Sequence, residues 1–125
     1  MAVNPLDAYQ SVEKSTLSGR NLEASVLNKA ALQLQDVKSR WADDDHEEAL
    51  DEALKYNQRV WTFFQSEVTQ ADNLLPDEIK QNIMALSVFV DRRIFEVMAY
   101  PAPEKLDILI NINRNLAAGL LAEAA

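Results

Sequence analysis

A chain of 125 residues with 48% hydrophobic content is long enough for one domain with its own core and too short to argue for two, so residues 1–125 are expected to form a single helical domain. Twenty acidic against twelve basic residues give a net charge of −8, which repels phosphate backbones; basic residues come only in scattered pairs such as Lys38/Arg40 and Arg92/Arg93, so no direct nucleic-acid binding is expected. The absence of cysteine excludes a disulfide framework, a thiol nucleophile and a thiolate metal site.

The N-terminal stretch Met1 to Gln10 has neither the basic flank nor the apolar segment of a secretory signal. Leu6, Tyr9 and Val12 carry a weak helical pattern, and a short extra helix opened by Asn4 and Pro5 fits it, since proline is tolerated at a first helical position. From residue 21 to about 41 the set Leu22, Val26, Ala30, Leu34, Val37 and Trp41 keeps helical period and predicts the first long helix. The acidic run Asp43, Asp44, Asp45, His46, Glu47 and Glu48 follows. Its carboxylates suit a hard cation, but it lacks the spaced ligands, central glycine and distal glutamate of an EF-hand loop, so no metal site is expected. Asp45 with Glu48 instead has the spacing of a capping box, and acids at a helix start complement its dipole.

A second helix is expected over 47–70, with Leu50, Leu54, Trp61, Phe64 and Val68 on one face and Asn57 in the middle of that apolar stripe. Leu74-Leu75-Pro76-Asp77-Glu78 then restarts a helix, with Pro76 expected at its first position, giving a third helix over 76–99. Its main stripe is Ile79, Ile83, Leu86, Val90, Ile94 and Val97, while Met84, Val88 and Phe95 form a second stripe roughly opposite at about 100° per residue. Such a helix is either sandwiched between others or offers a surface to a partner. In the second case Met84, Val88 and Phe95 are the candidate partner-binding residues, with Arg92 and Glu96 as a polar rim. The run Ile83 to Val90 is the longest apolar stretch, includes Ser87 and is far too short to span a bilayer, so the expectation is a soluble, cytoplasmic protein with no membrane insertion.

Tyr100-Pro101-Ala102-Pro103 interrupts the pattern, because a proline disfavours helical geometry in the residue before it. A fourth helix is expected over 104–121, with Leu106, Leu109, Ile110, Leu116, Ala117 and Leu120 on one face and Asn113 on its centre line. Asn57 and Asn113 are thus two polar positions in apolar stripes. As a structural polar core they would bond each other or a loop backbone; as functional groups, one would meet the backbone of a bound segment. Trp41 and Trp61 read as core, since large aromatics carry much of a small domain's burial. Short joining loops make the fold class all-α, a small, mostly antiparallel bundle of four main helices.

Catalysis is not expected. A di-iron carboxylate bundle needs two Glu-x-x-His pairs, and His46 is the one histidine of the chain. With two glycines there is no G-x-S-x-G elbow and no phosphate-binding loop, so neither catalytic residues nor a cofactor site are assigned.

Taken together, Ala8-Tyr9, the segment Gly19-Arg20-Asn21-Leu22-Glu23-Ala24, and Ala53-Leu54-Lys55-Tyr56-Asn57-Gln58-Arg59-Val60-Trp61 with its Asn-x-x-x-Trp spacing form the first half of a family pattern. Asn73-Leu74-Leu75-Pro76, the run Ile83 to Val90, and the segment Leu109 to Leu120 with its Ile112-Asn113-Arg114 ending form the second half. By their order and spacing the chain resembles the flagellar biosynthesis regulator FlaF family, small cytoplasmic proteins of flagellated bacteria. It departs at Phe89, where members often carry tryptophan, and in the acidic run at Asp43 to Glu48. The resemblance implies a non-enzymatic role in flagellum assembly that promotes flagellin production and secretion, with flagellin bound by an export chaperone. The alternative it implies is post-transcriptional control of flagellin synthesis through the partner FlbT.

Overall fold

The computed structural model describes residues 19–124, and the short helix expected from Asn4 lies outside them. Four α-helices follow in order: α1 Gly19–Ser39, α2 His46–Val68, α3 Asp77–Ala99 and α4 Asp107–Ala124, the last preceded by a 3-10 turn at Pro103–Leu106. No strand occurs among the described residues. The helices pack against one another as a bundle around a single hydrophobic cluster. Trp61 and Phe64 of α2 are its largest members, and Leu27, Leu34, Ile83, Ile94, Leu106 and Leu109 are fully buried in the same cluster.

The neighbours of each helix set its buried arc. α1 lies against both α2 and α4, most extensively against α4. Its buried side chains are Ala24, Leu27, Ala30, Ala31, Leu34 and Val37. This corrects the expected register: the buried arc is rotated toward Leu27 and Ala31, where α4 packs, and Leu22 is 58% exposed in the first turn. The alanines on α1 and Ala117 on α4 are small enough for close helix approach. At the other end of this pair Lys38 Nζ donates to Asp107 Oδ1 at 2.5 Å, joining the end of α1 to the start of α4 and making the two antiparallel.

The link from α1 to α2 is organised by Arg40. Its guanidinium donates to Asp36 Oδ2 through Nε and Nη2, at 3.1 and 2.9 Å. Asp45 and Asp43 approach its Nη1 at 3.5 and 3.8 Å. The hydrogen bond that the guanidinium donates to Asp36, and then the surrounding negative charge, raise the Arg40 pKa above its ordinary value. Asp45 stands at the N-cap of α2 but makes no side-chain capping bond there, so the expected capping box does not form. The reason is local: Asp45 has φ −92° and ψ 8° rather than the extended backbone that aims a cap inward, and its carboxylate is turned to Arg40.

α2 ends at Val68, and Asn73 ties that end to the next helix. Its Nδ2 donates to the Glu67 carbonyl at 3.0 Å and its Oδ1 accepts from the Leu75 N–H at 3.0 Å. Leu75 is thereby buried while Leu74 is 91% exposed. Pro76, expected from the sequence as the first helical residue of α3, is instead its N-cap; its ψ of 146° is extended, and its carbonyl accepts from Lys80 N–H at 3.0 Å. α3 packs on α2 and touches the 3-10 turn, and it buries Ile83, Ser87, Val90, Ile94 and Val97. Among the described residues no helix is long and apolar enough to cross a membrane.

Candidate functional site

The two asparagines singled out by their spacing are brought together in the core. Both are fully buried. Asn113 Nδ2 donates to Asn57 Oδ1 at 2.6 Å, and Asn113 Oδ1 accepts from Trp61 Nε1 at 2.8 Å. The tryptophan fixes the direction of the chain of bonds, since indole N–H can only donate and so turns the Asn113 oxygen toward itself. Asn57 Nδ2 is left at the end of this relay with no partner among the described residues. The three side chains join α2 to α4 across the core and are remote from solvent, so their chemistry is register-setting between helices.

The solvent side of α3 is different in kind. Val88 is 50% and Phe95 62% exposed, and Met84 is also exposed. Arg92 lies beside them in solvent. Glu96 is exposed as well, but its carboxylate sits 3.8 Å from Arg93 Nε and 4.0 Å from Lys105 Nζ, so it is turned toward cations of its own chain. The inner positions Ile83, Ser87, Val90, Ile94 and Val97 advance by alternating four- and three-residue steps. So does the outer row Met84, Val88, Asp91, Phe95 and Met98, displaced by one residue and hence about 100° around the helix. α3 therefore carries two adjacent seams of coiled-coil spacing, of which one is covered.

The sequence stripe of Met84, Val88 and Phe95 omitted Met98, although Met98 follows Phe95 at the next three-residue step. Met98 is 40% exposed and, with Pro101, faces Leu50, Leu54 and Asp51 of α2 across a cleft, so the outer seam runs into a groove between the two helices. On the opposite flank of α2, Leu22, Val26, Val60 and Phe63 line a second apolar hollow of similar size that the sequence pattern did not suggest. Leu22 is expected from its spacing in the buried stripe of the first helix, and Phe63 falls outside the stripe of the second; both are exposed here. His46, the one histidine, stacks at 5.1 Å on half-buried Trp41 with its Nδ1 against the Asp43 carbonyl, a packing role at the start of α2.

The family model for the flagellar protein FlaF matches residues 5–120, nearly the whole chain. The chain belongs to the FlaF family. No curated protein and no solved structure matches it at a significant level. Membership gives the protein a flagellar role. The FlaF match runs through all four helices, so it takes in both the buried asparagine relay and the exposed seam of α3.

Proposed function

We propose that this FlaF-family protein promotes flagellin production and secretion as a non-enzymatic, flagellin-binding export chaperone, and that the outer seam of α3 is the surface it uses. One observation carries the reading: Met84, Val88, Phe95 and Met98 are exposed in a single helical row on a bundle whose core is complete without them. Contiguous apolar surface on a small protein marks a binding site more often than it serves folding. An amphipathic segment of an unfinished secreted protein would lay its apolar face on such a row and order as it binds, which gives a reversible complex.

The test is the double variant Val88→Asp, Phe95→Asp, checked first for retained helicity and thermal unfolding and then assayed for capture of flagellin and of FlbT. Loss of flagellin capture by the folded variant is the expected result. Loss of FlbT capture alone would move the function to control of flagellin synthesis through that partner. Wild-type capture of both would contradict the use of this surface.

A further inference from the structure

The exposed seam of α3 is apolar at four of its five positions, and the exception is central. Asp91 stands between Val88 and Phe95 and is half-buried. Its Oδ2 is approached by Gln65 Nε2 of α2 at 3.4 Å, a long contact that supplies one weak donor. No cation lies within ion-pairing distance of it among the described residues, and the helical neighbours three and four positions away, Ser87, Val88, Ile94 and Phe95, carry none. Of the other half-buried acids, Glu23 pairs with Arg20 and Asp107 with Lys38, while Glu67, which like Asp91 has no ion pair among the described residues, lies on α2 away from this seam.

A helix laid along this seam would remove Asp91 from water, and a carboxylate so buried requires a cation. Building on the reading of the seam as a protein-binding surface, we propose that its partner is an amphipathic α-helix whose apolar stripe is interrupted near its middle by one lysine or arginine, which pairs with Asp91 and sets the register of the complex. The alternating four- and three-residue spacing selects a helix over an extended strand, because strand side chains repeat every two residues and would not meet this row. The seam from Met84 to Met98 is about 21 Å long at 1.5 Å per residue, room for a partner helix of about 14 residues. A single charged position in an otherwise apolar seam discriminates between registers and partners more than it adds affinity.

The experiment uses the full chain and three synthetic helices of about 18 residues, long enough to cover the seam with a flanking residue or two at each end. They share one apolar stripe and differ only at its middle position, which is lysine, leucine or glutamate. Wild-type protein is expected to bind the lysine helix about tenfold or more tighter than the glutamate helix, the scale of a close interfacial charge pair. The variant Asp91→Lys is expected to reverse that order, and Asp91→Leu to favour the leucine helix. Equal affinities for the three helices, binding of none of them, or an order unchanged in Asp91→Lys would overturn the proposal. Should flagellin capture still depend on Val88 and Phe95 in that event, the chaperone reading stands and only the cationic pairing falls.

Discussion

The second and third helices are each 23 residues long, and α3 has the more apolar sequence, yet α2 buries more of its positions. The difference lies in their neighbours. α2 is packed by α1 on one side and α3 on the other, and reaches α4 through Trp61 and Asn57. α3 leans on α2 and the 3-10 turn. Most of the hydrophobicity in α2 is consumed by the core, whereas in α3 it exceeds what α2 and the 3-10 turn cover and remains as a face. Folding accounts for the first pattern and not for the second.

Substitutions should separate the two helices by the size and kind of their effects. Trp61→Ala should be the most damaging, destabilising by about 3–5 kcal/mol because it empties the centre of the core and removes the donor to Asn113. Urea unfolding measures this directly, and Trp61→Phe, which keeps most of the aromatic volume, should cost less. Asn113→Leu comes next. It leaves both the Trp61 N–H and the Asn57 carbonyl oxygen without partners, each orphan costing about 1–3 kcal/mol. Asn57→Leu should cost less than Asn113→Leu, since it orphans one group, Asn113 Nδ2, and removes an amide nitrogen that has no partner among the described residues. Equal unfolding midpoints for the two leucine variants would contradict the direction of the relay. At the small end, Phe95→Ala on α3 should change stability by no more than about 0.5 kcal/mol, as expected for a surface position, while weakening capture of the partner.

Much of the bundle was legible from apolar spacing, because a helix buried along one side must repeat at three and four residues. The four helices appear within a few residues of the expected spans. Periodicity does not state which neighbour a helix meets, and the misread positions follow from that. Leu22 shared the spacing of Val26 and Ala30, but α4 draws the buried arc of α1 toward Leu27 and Ala31. Asp45 had capping-box spacing with Glu48, but Arg40, placed by the preceding turn, takes its carboxylate. The asparagines stood out within their own stripes, yet their mutual bond and the role of Trp61 depend on α2 and α4 crossing at one level, a tertiary fact. On α3 the second stripe was visible, while Met98 and the central Asp91 became meaningful once the inner seam was known to be covered and the outer one open.

The central claim, that the outer seam of α3 holds flagellin, is tested most directly at its two ends. Met84 and Met98 bracket the seam and both are exposed, so their methyl groups can report contact without altering the surface. The measurement is methyl NMR on protein labelled at methionine, titrated with flagellin. Both methyl resonances are expected to shift with a common saturation point, and neither to shift in the folded Val88→Asp, Phe95→Asp variant. A saturated flagellin complex in which Met84 and Met98 keep their free-state resonances would contradict the account.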